Sequence, residues 1–139
     1  MFSLNIKTTA RDEMIDITPR LAALVPPELT DGLCHVFCVH TTAGLTVNEN
    51  CDPDVRHDLI RKLDRLIEWN NPEFRHFEGN SAAHLKASLM GFSQLIPVRD
   101  GKLLLGRWQG VYFCEFDGPR QRTLTVQFIE SRRNDSAGQ

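Results

Sequence analysis

The chain has 139 residues, of which 41% are hydrophobic and 24% charged, and its formal net charge is −2. This length predicts one domain, and the composition is that of a folded globule rather than of a disordered chain. The acidic balance disfavours a nucleic-acid-binding protein, which normally carries a basic surplus. No run approaches the ~18 apolar residues that cross a bilayer, and the charged N-terminal region lacks the apolar core of a signal peptide. We therefore expect a cytoplasmic protein with no nucleic-acid partner and no membrane partner.

The first third of the chain is predicted to form strands around one short helix. Residues 2–9 alternate apolar and polar side chains, which is typical of a half-buried strand. Thr18 and Pro19 begin a short helix that extends to Val25. Residues 33–41 are apolar at both parities, which predicts a central strand, and residues 45–48 continue as a short one.

Cys34 and Cys38 have the spacing of a CxxxC metal pair. In a strand, however, their Cα atoms would lie ~13 Å apart. That distance is too long for a disulfide or for one shared zinc ion. We expect both to be small buried thiols.

Two longer helices are predicted in the middle of the chain, and strands after them. Asp52, Pro53 and Asp54 begin the first helix, whose apolar stripe extends to Ile67. The second begins at Asn80 or Ser81 and ends at Met90, before Gly91. Later strands are predicted over residues 92–98, 102–105, 110–116 and 122–129, with hairpin turns between them. The predicted fold class is α+β with a largely antiparallel sheet over residues 1–130, followed by a polar tail, 131–139.

Polar side chains collect at three junctions, each at the end of a regular element. The clusters are residues 40–42 with 48–52, residues 78–81 with His84 and Ser88, and residues 107–109 with Glu115, Asp117 and Arg120. Folding alone requires fewer polar residues at such positions, so the clusters favour a functional site.

His40 and His84 are the main candidates for acid–base chemistry or metal binding. His40 closes an uncharged strand, and His84 shares one helix face with Ser81 and Ser88. Imidazole changes charge near neutral pH, although a histidine hydrogen-bonded at a packed interface explains the same pattern. Both rings with one carboxylate would supply the three ligands of an open metal site. The candidate carboxylates are Glu49, Asp52 and Glu78. The remaining histidines, His35, His57 and His76, carry less weight.

Several residues are candidates for binding an anionic substrate. Arg107, Arg120 and Lys86 are the cations near the clusters, and Asn80-Ser81 expose amide donors at a helix start. Trp108 lies at a turn, where it would stack on a planar ring or cover the core. The chain contains no P-loop, dinucleotide glycine motif or HExxH, so we expect no nucleotide cofactor.

At these junctions the sequence closely resembles the YjbQ family, also described as secondary thiamine-phosphate synthase enzymes. The matching segments are HTTAGLTVNENCDPDVRHDL (40–59), RHFEGNSAAHLKASLMG (75–91) and LLLGRWQGVYFCEFDGPRQR (103–122). The resemblance implies a small α+β domain that forms a homotrimer. It also implies a weak transferase activity, which joins hydroxymethylpyrimidine diphosphate to thiazole phosphate and releases pyrophosphate.

The resemblance also suggests roles for individual residues. His40 and His84 match the family's two histidines, and Gly44 and Cys51 stand where many members have alanine. Other matching positions are Glu49, Asn50, Asp52, Asp54, Glu78, Asn80, Ser81, Trp108, Gln109, Glu115 and Asp117. The expected catalytic residues are His84, His40 and Glu49. The expected substrate-binding residues are Asn80, Ser81, Ser88, Arg107, Trp108, Gln109 and Arg120.

The expected ligands of a divalent metal, magnesium or a transition metal such as zinc, are His40, His84, Glu49, Asp52 and Glu78. Two alternatives to the synthase remain open at this point. One is a metal-dependent hydrolase, and the other is a non-catalytic protein that binds a small phosphorylated metabolite.

Overall fold

The computed structural model describes residues 1–132, so residues 133–139 of the predicted polar tail lie outside the described chain. The elements, in chain order, are β1 (Phe2–Lys7), β2 (Glu13–Asp16), α1 (Thr18–Leu24), β3 (Gly32–Cys38), β4 (Ala43–Glu49), α2 (Pro53–Leu66), α3 (Ser81–Met90), β5 (Ser93–Arg99), β6 (Lys102–Leu103), β7 (Gln109–Glu115) and β8 (Gln121–Glu130).

The strands form two antiparallel sheets. The larger has the order β1-β8-β3-β5-β6, and the smaller has the order β2-β7-β4. The predicted α+β class is confirmed, and β3 is central as expected. The sequence did not predict β2. Four of the six residues from Arg11 to Asp16 are charged, so no alternation of apolar and polar residues indicates a strand there.

The core lies between the two sheets. Cys34, Val36 and Cys38 of β3 point into it, and so do Leu45 of β4 and Phe113 of β7. The cysteines at 34, 38, 51 and 114 are free, as expected of thiols. Burial raises the pKa of the Cys34 thiol to about 11, which leaves it unreactive near neutral pH.

The helices begin as predicted, and α3 packs closely against the smaller sheet. The Asp52 side chain caps α2 by accepting the backbone N–H of Asp54 at 2.9 Å. Small residues make the α3 contact possible, because Ala83 and Ala87 are buried against a cluster that includes Tyr112. Among residues 1–132, no helix combines the length and the apolar character needed to span a bilayer.

Candidate functional site

A cavity of about 400 Å³ lies where the ends of β3 and β7 and the start of β8 meet the beginning of α3. Its volume is within the usual range for small-molecule sites. We call it the histidine pocket, and its lining residues are Val39, His40, Thr41, Thr42, His76, Glu78, Asn80, His84, Asp117, Arg120 and Arg122. The pocket therefore brings together residues from all three predicted junctions.

His40 is held in place by the backbone of β8. Its Nε2 atom accepts a hydrogen bond from the backbone N–H of Thr123 at 2.9 Å. The pKa of His40 is lowered, first by burial and then by the positive charge of Arg122, which together outweigh the opposite effect of Glu115. His40 is therefore neutral at physiological pH.

A buried ion pair supports the floor of the pocket. Arg122 donates to both carboxylate oxygens of Glu115, from Nε at 2.8 Å and from Nη2 at 2.5 Å. Arg122 also donates to the Thr42 hydroxyl at 2.8 Å. Burial alone would raise the pKa of Glu115, but the hydrogen bonds from Arg122, Asp117 and Thr8 bring the pKa below its ordinary value. Both charges are thus present at neutral pH.

Arg122 was not among the site residues expected from the sequence, although the sequence contains a signal for it. Arg122 has the same parity in its strand as the core residues Leu124 and Val126. An arginine at an inward-facing strand position needs a buried anionic partner, because a buried charge without one is very costly.

Asp117 connects the hairpin between β7 and β8 to α3. It accepts a hydrogen bond from the Asn80 amide nitrogen at 2.9 Å and one from Arg120 Nη2 at 2.9 Å. Asn80 uses its amide nitrogen for this bond, and its Oδ1 atom, which would accept a capping N–H of α3, is buried without a partner among residues 1–132. The start of α3, with Ser81 half-buried beside it, therefore lies at the pocket without a side-chain cap.

His76 and His84 lie together in the pocket. Their ring centroids are 5.5 Å apart, and the rings meet edge to face. His76 belongs to the irregular segment between α2 and α3, where no periodicity indicates which side chains point inward. This is why sequence reasoning gave it little weight.

Glu49 and Asp52 lie outside the histidine pocket. The register of β4 and β7 places Ala43 opposite Glu115 and Glu49 opposite Gln109. Six residue steps along a strand cover about 20 Å. Glu49 is therefore too far from the pocket to share an ion or a substrate atom with His40 and His84 of the same chain.

A second polar cluster surrounds Glu49 at that far end of the smaller sheet. The backbone N–H of Asn50 donates to the Trp108 carbonyl at 3.0 Å, and the Arg107 guanidinium stacks on the Trp108 ring at 4.8 Å. Gln109 accepts the backbone N–H of Gly106. The predicted substrate-binding residues Arg107, Trp108 and Gln109 are thus separated from Asn80, Ser81 and Arg120 within one chain.

Lys86 and Ser88 of α3 also lie away from the pocket lining. The Lys86 ammonium is buried and donates to Asp64 at 2.9 Å and to Asp12 at 3.3 Å. The expectation that Lys86 binds an anionic substrate is wrong, because these two carboxylates already neutralise it. Ser88 is exposed on the helix surface.

The residues present do not fit the predicted site for a transition metal. Within residues 1–132, no group of three or more His, Cys, Asp or Glu side chains is arranged to hold a metal ion. In addition, the lone pair of His40 Nε2 is occupied by the Thr123 N–H. Binding through Nδ1 would move the ring proton to Nε2, where it would oppose that N–H.

The chain belongs to a family of small α+β proteins, the YjbQ-like UPF0047 proteins. The family model, described as UPF0047 protein YjbQ-like, matches residues 2–131. The chain is 52% identical to UPF0047 protein YugU of Bacillus subtilis, over 91% of this chain and 97% of the relative. It is 51% identical to UPF0047 protein MJ1081 of Methanocaldococcus jannaschii, over 93% and 94%.

Solved structures of the family share the fold. A YjbQ/UPF0047 protein from Clostridium acetobutylicum matches with a TM-score of 0.90 and 49% identity, over 93% of this chain and all of that one. A YbjQ-like protein of unknown function from Sulfolobus solfataricus matches with a TM-score of 0.88 and 30% identity, over 94% and 96%. These likenesses establish the family and its fold, and they assign no activity.

Proposed function

We propose that the histidine pocket binds a small phosphorylated substrate and catalyses a transfer in which pyrophosphate leaves. The specific reaction that we propose is of the thiamine-phosphate synthase type. The observation that carries the proposal is the convergence of His40, His84 and Arg120 with the start of α3 on one cavity of about 400 Å³.

The charges around the pocket support binding of an anion. Arg120 is anchored to Asp117 at 2.9 Å, yet its side chain is half exposed and can also contact a ligand. Burial lowers the pKa of His40 most, and the positive charges of Arg122 and Arg120 lower it as well. Backbone N–H groups at the uncapped start of α3 favour a negatively charged group as well.

The proposed reaction breaks a carbon–oxygen bond and forms a carbon–nitrogen bond. The methylene of hydroxymethylpyrimidine diphosphate loses its diphosphate, and the ring nitrogen of thiazole phosphate supplies the electron pair for the new bond. Catalysis then consists mainly of stabilising negative charge on the departing pyrophosphate. We assign this stabilisation to Arg120 and to His84, which would donate a hydrogen bond or a proton.

A magnesium ion bound with the diphosphate would neutralise part of its charge. Glu78 lines the pocket and is exposed, so it is the carboxylate that we assign to hold such an ion. Asp117 is less suited, because Asn80 and Arg120 already occupy it.

The test is an assay of the purified chain with both substrates and Mg²⁺, measuring release of pyrophosphate. His84→Ala should lower turnover by about 100-fold or more, in line with loss of a general acid. Ser88→Ala is the matched control on the same helix and should leave turnover unchanged. Micromolar substrate binding without turnover in the unmodified chain would favour the non-catalytic metabolite binder instead. Full activity of His84→Ala would remove His84 from the mechanism.

We also propose that the protein assembles as a homotrimer through the outer face of the larger sheet. Phe37, Leu95 and Ile129 are 40%, 59% and 49% exposed, and they lie on strands whose other face is the core. Covering such a face stabilises an assembly through apolar burial. Leu95→Glu should give monomers in analytical ultracentrifugation, and Leu66→Glu, at the end of α2, should not.

A further inference from the structure

The His40 side chain extends the hydrogen bonding of β8 beyond the end of β3. The pairing of β3 with β8 ends at Cys38 opposite Leu124. Thr123, the residue of β8 that precedes Leu124, donates its backbone N–H to His40 Nε2 at 2.9 Å. A nitrogen that accepts an N–H must present its lone pair, so Nε2 carries no proton. In a neutral imidazole the proton is then on Nδ1.

The other ring nitrogen, Nδ1, is not fully buried. Within residues 1–132, no protein group hydrogen-bonds to His40 Nδ1, and that atom is not among the buried polar atoms without a partner. Because His40 lines the histidine pocket, its Nδ1–H group is available to a molecule bound there.

The charges that face His40 come from several elements. Arg120, Arg122, Glu115 and Asp117 come from the hairpin of β7 and β8, His84 from α3, and His76 and Glu78 from the segment before α3. Of these, Arg122 acts most strongly on the ring, and it favours the uncharged form. The neutral state required by the Thr123 hydrogen bond is thus also favoured by the surroundings.

We propose that His40 is a fixed hydrogen-bond donor, through Nδ1–H, to an oxygen atom of an anionic ligand in the histidine pocket. This inference rests on the proposed function only in expecting a phosphorylated ligand there. This role of His40 differs from the one expected from the sequence, which was acid–base catalysis or metal binding. A general base or a metal ligand needs the lone pair of Nδ1, and a general acid needs the protonated imidazolium. In each case Nε2 would carry a proton, and the ring would have to give up its bond with Thr123.

The proposal limits what can bind next to His40. A phosphate or diphosphate oxygen accepts the Nδ1–H group, whereas an ammonium or amide N–H of a ligand would oppose it. His40 is therefore a specificity-determining residue that orients the anionic end of a substrate. Proton transfer, where the reaction needs it, is left to His84.

Nitrogen NMR of the full chain, labelled with ¹⁵N-histidine, tests the tautomer directly. Long-range ¹H–¹⁵N correlations at pH 7.5 should show the Nδ1–H form for His40, assigned by its loss in His40→Asn. Addition of inorganic pyrophosphate should shift the His40 Nδ1 resonance. An Nε2–H tautomer, or no shift with excess pyrophosphate, would overturn the proposal.

Two variants of His40 separate the donor from the acceptor. Asparagine keeps an N–H donor near the position of Nδ1, and glutamine places an acceptor near the position of Nε2. His40→Asn should bind pyrophosphate within about threefold of the unmodified chain. His40→Gln should lose tenfold or more, as expected when a hydrogen bond to a charged group is removed.

Thermal unfolding first checks that both variants fold. Equal losses of binding in two folded variants would contradict the donor role. All of these readouts are independent of turnover. A failed synthase assay would therefore reject the reaction and leave the role of His40 standing. A failed tautomer or binding test would reject that role and leave the reaction standing.

Discussion

Arg122 and Glu115 form an ion pair that joins the two sheets, and their side chains are only 3% and 0% exposed. Glu115 ends β7 in the smaller sheet, and Arg122 lies near the start of β8 in the larger one. Thr42 and Thr8 complete the hydrogen bonds of the pair. The pair therefore determines how the hairpin that carries Asp117 and Arg120 is positioned at the pocket.

Removing only one member of this pair should destabilise the protein strongly. Arg122→Met leaves the Glu115 carboxylate buried without its cation, so we expect a loss of about 3–5 kcal/mol in the free energy of unfolding. Urea denaturation measures this loss. The double variant Arg122→Met with Glu115→Leu removes both charges and should recover most of the stability. A loss below about 1 kcal/mol in the single variant would show that water reaches the pair, contrary to its burial in the structure.

The ion pair between Lys86 and Asp64 should make stability depend on pH. The hydrogen bond from Lys86 is the main reason that the pKa of Asp64 is lowered, with Arg11 adding to it. Because the folded-state pKa lies below the unfolded-state value, the stabilisation is present above the unfolded pKa. It is lost as the pH falls through the folded pKa. Asp64→Asn should therefore be less stable than the unmodified chain at pH 7, and the difference should shrink below about pH 4.

Asp58→Asn is the matched control for this pH dependence, because Asp58 lies on the same helix and is 79% exposed. Asp58 contacts the exposed His57 at 3.1 Å, and an exposed pair of this kind contributes little. The unfolding free energy of Asp58→Asn should therefore differ from that of the unmodified chain much less than that of Asp64→Asn does. Parallel curves for Asp64→Asn and the unmodified chain from pH 7 to pH 2 would contradict the assigned coupling to Lys86.

Gly44 should not tolerate alanine, because the end of α3 leaves no room for a side chain there. A Cβ atom at Gly44 would lie 2.6 Å from the backbone oxygen of Gly91 and 3.1 Å from the Met90 side chain. Backbone must shift to make room, so we expect Gly44→Ala to cost about 1–3 kcal/mol by thermal or urea unfolding. Cys51→Ala is the control and should have no measurable effect, because Cys51 is exposed. Equal stability of the two variants would mean that α3 moves away from β4 at little cost.

Arg107 and Arg120 were both predicted from the sequence to bind an anionic substrate, but they should differ in their effect on anion binding. Arg120 lines the histidine pocket, whereas Arg107 stacks on Trp108 in the separate polar cluster. Arg120→Gln should weaken pyrophosphate binding by about tenfold in calorimetry. It should also raise the pKa of His40, because Arg120 lowers it. Arg107→Gln should change neither quantity. The opposite pattern would place the anion site at Trp108.

Much of the fold was predictable because local patterns determine it. The alternation in β1, the Asp52 cap of α2 and Gly91 after α3 all act within a few residues of the chain. The division into two sheets was not predictable in this way, since β2 carries more charge than a typical strand. Its pairing with β7, Glu13 opposite Glu115, is a contact between residues distant in the sequence.

By itself, the sequence determined the family, the α+β class, the main helices and most of the strands, and it indicated most of the polar residues that line the histidine pocket, though not Arg122. Only the tertiary structure decided which polar clusters meet. The two ends of the antiparallel pair of β4 and β7 lie about 20 Å apart. Glu49 and Trp108 are at one end, whereas His40 is near the other. The hairpin and α3 bring His40 together with His84, Arg120 and His76. Local propensity cannot encode such distances, because they depend on strand register and on how helices pack against sheets.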